Sequence, residues 1–189
     1  MGLTVHLDPA LQLELDLTAP DPNAGDRFRE RLPLELRPGT ARRRHVQAVL
    51  EADRIVVTHP PRMSEVQARR IGEELRERLE RRRATAQVDL VARAAALARH
   101  HGLPTPSSIE WSERQQSLWG TCTSDGVVRI SARLAELPEF VLDAVIVHEL
   151  AHLVHLDHGA EFQALVRRYP KTDLATGYLM AIDHHAGRR

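Results

Sequence analysis

Residues 140–154 read Phe-Val-Leu-Asp-Ala-Val-Ile-Val-His-Glu-Leu-Ala-His-Leu-Val, a helical stretch that is apolar on nearly every face. A helix without a polar stripe is enclosed on all sides, so the remainder of the chain must be arranged around it. Its few polar groups are then the expensive ones. Burying an unpaired polar side chain costs roughly 2–7 kcal/mol, and this helix carries Glu149 between His148 and His152.

Residues four apart share a helix face, so the imidazoles of His148 and His152 can reach one ion together while Glu149 projects beside it. His158 follows six residues after His152. The pattern is that of a zinc site in which three neutral histidines leave a fourth position for water and lower its pKa toward ~7. Glu149 would accept that water's proton during attack on a carbonyl and pass it to the leaving amine. Magnesium and calcium prefer carboxylates and carbonyls, which makes Zn²⁺ the expected metal. With 11 histidines in the chain, an accidental His-Glu-x-x-His has a chance of roughly 5%, and roughly 0.3% once His158 is also required. The competing reading is a set of internally hydrogen-bonded core histidines.

The third ligand depends on the path of the chain. On an unbroken helix His158 would lie about 9 Å along the axis from His152 and on a largely opposite face. It can coordinate only after a reversal, for which Gly159 offers a left-handed C-cap. His155 lies nearer the face of His148 and His152, but three successive turns span too much length for three rings to meet one ion easily. A supporting or structural role suits it better. His155, Glu161 and the pair His184 and His185 are the alternatives to His158. Chemistry alone offers Arg129, Tyr169 and Tyr178 as groups that could stabilise a developing oxyanion. Trp119 and Cys122 read most simply as a core anchor and a small buried hydrophobe, and otherwise as a cleft wall and a metal contact.

Composition narrows the class. A chain of 189 residues can bury a full core, as one domain with an appendage or as two small lobes. A hydrophobic fraction of 42% argues against extended disorder. Formal net charge is zero, so no global field draws in nucleic acid or an anionic membrane. Cys122 is the single cysteine, which excludes an intramolecular disulfide and fits a reducing compartment. Residues 1–8 lack a basic segment followed by an apolar one, and no window reaches the length of a membrane span. A cytoplasmic protein without membrane partners is expected.

Alternation of Leu3, Val5 and Leu7, then of Leu11, Leu13, Leu15 and Leu17, predicts an N-terminal hairpin. Residues 19–25 form a loop, and three short strands near 32–36, 44–50 and 54–58 suit an antiparallel meander. Ser64 with Gln67 marks a capping box for a helix over 65–83, whose outer face mixes Arg and Glu at spacings that allow pairing across a turn. A second helix runs over 86–101 and ends at Gly102. Strands are expected at 108–112, 116–119 and 127–131, followed by the motif helix, a short helix over 160–169 and an apolar stretch over 174–182. Strands and helices are segregated, so the fold class is α+β. A β-rich region over 1–62 and a metallohydrolase domain over 63–189 are the expected divisions.

Over roughly residues 40 to 180 the chain resembles the YgjP-like metal-dependent hydrolases, zincin relatives of the SprT and WLM metallopeptidase groups. The resemblance is carried by Leu118-Trp119-Gly120-Thr121-Cys122, Val128-Arg129-Ile130 with Leu134, Val145 to Leu153, and Asp157-His158-Gly159 with Phe162. It implies a zincin-like fold of antiparallel sheet segments packed on a buried motif helix. It also implies that His158 is the third metal ligand. Where the family pattern has Arg-Trp-Gly-Ser-Cys, this chain has Leu118 and Thr121, and Ser131-Ala132 stand in place of an Asn-Trp pair. Gln163 follows Phe162 where the pattern has Trp.

The expected activity is zinc-dependent amide hydrolysis of a peptide or protein. Some members of that family are described as nucleoside triphosphate pyrophosphatases, so a nucleotide such as UTP is the alternative substrate. Leu118, in place of an arginine that could grip phosphate, counts against it. A protease recruited to nucleic acid is a further alternative, resting on the arginines at 42–44 and 81–83. A purely structural zinc domain would have no use for Glu149.

Overall fold

A computed structural model describes residues 31–186 apart from 43 and 116. The hairpin expected over 3–17 and the loop over 19–25 lie outside the described residues. The architecture is α+β: strands β1 (Leu34–Pro38), β2 (Gln47–Glu51) and β3 (Arg54–His59), helices α1 (Glu65–Ala86) and α2 (Leu90–His101), and strands β4 (Ser108–Ser112), β5 (Gly120–Cys122) and β6 (Val127–Ser131). A 3₁₀ turn over Ala132–Glu136 leads into α3 (Glu139–His152), α4 (Ala160–Val166) and α5 (Thr172–Ala186). No helix among the described residues is long and apolar enough to cross a membrane.

Neither sheet is the expected antiparallel arrangement. The first has the order β1-β3-β2, with β1 parallel to β3 and β2 antiparallel to it. The second repeats this plan as β4-β6-β5, again one parallel and one antiparallel pair. Burial explains the order. Ile55, Val56 and Val57 are all buried, and a continuous apolar run needs both its neighbours. The flanking strands carry Glu35, Arg37 and Glu51, which form ion pairs across the edges and suit the rim of a sheet. In the second sheet Val128 and Ile130, both fully buried, place β6 in the centre.

Helix boundaries follow their caps. Ser64 accepts from the Gln67 amide at the start of α1, which runs three residues past the expected end to Ala86. Asp89 accepts from the Ala92 amide and so starts α2 at Leu90 instead of 86. Gly102, at φ 61°, closes it in the left-handed conformation. Of the strand expected over 116–119, residue 116 lies outside the described residues and β5 starts at Gly120, although the Trp119 carbonyl already accepts from the Ser131 amide. Before it, the Gln115 carbonyl accepts from the Ser131 hydroxyl and the Gln115 side-chain amide donates to Thr121. The short helix ends at Val166 and not 169, and the apolar stretch near 174–182 belongs to a longer helix, α5.

Helix α3 is the hub. Nine of its residues are buried, and it packs against β5, β6, α2, α4 and α5. The outer helix α2 is tied to it by Arg93, whose Nε donates to Asp143 at 2.5 Å and whose Nη2 donates to Glu139 at 3.2 Å. The pair with Asp143 is mostly shielded from solvent, and truncating Arg93 leaves a half-buried carboxylate with Tyr169 but without its cation. Arg93→Met should lower stability by about 1–2 kcal/mol in urea unfolding. A change below about 0.3 kcal/mol would show that the strut contributes nothing.

Candidate metal centre

The second half of α3 turns His148 and His152 to one side and Glu149 to another part of the same cleft. The helix ends at His152 with Leu153 in a right-handed C-cap, and the chain reverses over residues 153–158. Gly159 is therefore not the left-handed cap expected for that turn. Its φ and ψ of −66° and −174° are extended, it is the N-cap of α4, and its amide donates to Asp157 Oδ1 at 3.2 Å. The last turn tightens into the reversal, where the Leu153 and Val154 amides close three residues back on the Leu150 and Ala151 carbonyls.

The reversal carries His158 back over α3. His158 Nε2 lies 3.3 Å from His148 Nε2, and one ligand atom from each of His148, His152 and His158 falls within 4.8 Å of the others. These three side chains could hold a metal ion. Two ring nitrogens at that separation repel if both present lone pairs, and a proton or a cation between them removes the repulsion. His152 Nδ1 lies 3.1 Å from the His155 carbonyl. Donation to that carbonyl leaves Nε2 of His152 as the lone-pair donor, the tautomer that metal-binding histidines adopt. Phe162, fully buried, is the common floor, with its ring centre 4.9, 4.5 and 4.6 Å from those of His148, His152 and His158.

His155 supports the cluster through its backbone and does not join it. Its side chain faces Glu161, Nδ1 to Oε2 3.6 Å, so neither of these alternatives belongs to the triad. His184 is outside the triad as well, and the side chain of His185 lies outside the described residues. Burial, reinforced by the neighbouring His152 and His158, pulls the pKa of His148 down to about 4, and burial also lowers that of His152. Both rings are neutral at pH 7, the form that donates a lone pair.

Glu149 is 5% exposed, and burial pushes its carboxyl up to about 7. Among the described residues it has no hydrogen-bond partner from the protein, and it lines a cavity of about 540 Å³ with His148. Its carboxylate rests on Gly120: a Cβ built there would lie 2.8 Å from both Glu149 Cγ and Cδ. Only glycine permits that approach. Trp119 packs against the core and is also a wall of the cleft. It is half-buried, lines the cavity, and donates from Nε1 to Asp183 Oδ2 at 3.1 Å, while Arg133 stacks 3.7 Å from its ring centre. Cys122 stays a thiol, since burial and the charges of Glu149 and Asp125 push its pKa up.

None of the three expected oxyanion candidates lines the cavity. Arg129 pairs with Glu110 across β6 and β4. Tyr169 is buried against His101, with burial and Asp143 raising its pKa, and Tyr178 packs edge-on against Phe140. The parts that sequence reasoning left without a role are Phe162, Gly120 as the seat of Glu149, and Asp183. Gly120 beside a tryptophan was the visible signal; the other two depend on how α4 and α5 dock.

The model of the YgjP-like family, metallopeptidase domain, matches residues 30–176. The chain belongs to the YgjP-like family. No curated protein and no solved structure is similar enough to match it. The family implies a metal-dependent hydrolase, and the cluster fits one: three imidazole nitrogens converge beside a buried carboxylate that no protein donor among the described residues satisfies.

His158→Ala should lose most of the metal bound by the purified protein, whereas His155→Ala, which keeps the supporting carbonyl, should retain it. Elemental analysis of both variants checks this. Full metal content in His158→Ala would remove that residue from the ligand set.

Proposed function

We propose that this protein is a zinc-dependent hydrolase of peptide bonds, with His148, His152 and His158 as the metal ligands and Glu149 as the general base. The convergence of the three imidazoles beside Glu149 carries the reading. Zinc held there would supply Lewis acidity toward the scissile carbonyl and acidify water at an open position. Glu149 takes a proton from the attacking water and delivers it to the leaving amine. Its burial suits this task, because raised proton affinity makes a better base near neutral pH. Gly120 lets the carboxylate lie flat against the strand and fixes its position. Phe162 excludes water behind the imidazoles, and the His155 carbonyl orients His152.

The cavity favours a peptide over a nucleoside triphosphate. Among the described residues neither lysine nor arginine lines it, while Asp173 and Asp183 do, and a triphosphate needs cationic donors to offset its charge. A nucleic-acid role loses support from Arg81, which is drawn to Glu113 and Glu136.

Glu149→Gln should keep fold and metal and lower turnover by about 10²–10⁴. Gly120→Ala should do likewise by driving the carboxylate from its seat. Circular dichroism, zinc content and peptide cleavage measured together check both. Wild-type cleavage by Glu149→Gln would exclude it as the base.

Amide hydrolysis supported by zinc or cobalt should exceed magnesium-supported hydrolysis of UTP. Pyrophosphate release from UTP that is abolished in Glu149→Gln and unmatched by peptide cleavage would overturn the choice of substrate.

A further inference from the structure

We infer that the cavity beside Glu149 is a side-chain pocket selective for a basic residue of the substrate, with Asp183 receiving its cationic head. The inference rests on the amide-hydrolase reading and names the substrate class for it.

The pocket has the size and lining for one long side chain. Its volume of about 540 Å³ lies within the ~300–1,000 Å³ range of ligand clefts. Val145, Phe162, Val166, Leu179 and Met180 make much of its surface apolar. On α5 the residues Asp173, Thr176, Met180 and Asp183 recur at intervals of three, four and three and all line it, so one face of the helix forms the wall. All four are exposed, because the groove is open to solvent along that wall.

The charge is one-sided. Asp173 and Asp183 join Glu149 in the lining, with no lysine or arginine among the described residues there. Arg133 offsets part of the charge of Asp183 across the indole of Trp119, but it does not itself line the cavity. A lining of one sign on low-dielectric walls concentrates the field for the opposite charge. Glu149, buried and without a hydrogen-bond partner among the described residues, marks where the scissile bond must lie.

Asp183 is linked to that point through the wall of the pocket. Glu149 touches Gly120, the next residue Trp119 spans the wall, and its indole donates to Asp183 Oδ2 at 3.1 Å. That bond uses one carboxylate oxygen and leaves Oδ1 for a ligand. A lysine or arginine entering from Glu149 lays its methylenes along the apolar wall and presents its charge to Asp183. Asp173, about 15 Å away along the helix by its rise, adds to the field without sharing the contact.

The test uses fluorogenic peptides that are identical except at one position flanking the scissile bond, holding lysine, arginine, norleucine or glutamate, with the zinc-loaded full chain. Lysine and arginine should exceed norleucine by about tenfold in kcat/KM, with glutamate lowest. In Asp183→Asn the ratio of basic to norleucine peptide should fall close to one. The amide keeps an acceptor for the Trp119 N–H, so this variant removes charge and spares the clasp; a purely structural role would slow every peptide alike and leave the ratio unmoved. Norleucine cleaved as fast as lysine, or a preference that survives in Asp183→Asn, overturns the inference. If no peptide is cleaved, amide hydrolysis fails, and calorimetric binding to Glu149→Gln decides the pocket separately. Basic peptides binding about tenfold tighter than norleucine ones, with the difference lost in Glu149→Gln/Asp183→Asn, uphold the pocket. Equal binding refutes it.

Discussion

A carboxylate buried in the middle of an apolar helix is the constraint on which the other parts of this structure depend. Glu149 is enclosed by the same packing that makes α3 the hub of the core, and desolvation raises its proton affinity. Nothing in the hydrophobic effect rewards a glutamate at that position; leucine would bury more apolar surface at no electrostatic cost. The chain instead shapes a strand around it. Gly120 gives up its side chain so that the backbone of β5 can lie against the carboxylate, and the cavity opens on the remaining side. The stability forgone at such a position is the mark of a site whose use lies in chemistry.

How much of this could be read from residues alone follows from how local each feature is. The buried helix, the shared face of His148 and His152, and the strands at 108–112 and 127–131 come from patterns within a few residues, and the structure has them at those positions. The strand order does not. Both central strands, β3 and β6, pair in parallel with the strand two before them and pack on the helix that follows, and a meander of consecutive antiparallel strands is the simplest guess when that packing is unknown. Gly159 shows the same limit at smaller scale. Glycine before a new helix can close the old one or cap the next, and here it caps the next, α3 having ended seven residues earlier in the turn that closes on the Leu150 and Ala151 carbonyls.

The supporting shell was the least legible part, since it comes from elements joined only in three dimensions. Phe162 reaches the three imidazoles because α4 follows the reversal directly. Asp183 reaches Trp119 across a separation of 64 residues, through the docking of α5 on α3. The departure at position 118 gains meaning from the same arrangement. With leucine there, Arg133 stands on the indole face outside the lining, and among the described residues the lining carries carboxyl groups and neither lysine nor arginine.

The histidine cluster joins these observations. His148 and His158 hold their Nε2 atoms 3.3 Å apart over an apolar floor, a distance that two facing lone pairs do not tolerate without a proton or cation between them. A hydrogen bond between two neutral rings uses the lone pair of only one Nε2, whereas a cation takes the lone pairs of both. A divalent cation is bound by the neutral form, so the same burial that drives protons away keeps lone pairs available to a metal. The apolar setting of α3 thus acts in one direction on both halves of the motif: it holds the imidazoles of His148 and His152 neutral and raises the affinity of Glu149 for a proton, as the proposed base requires.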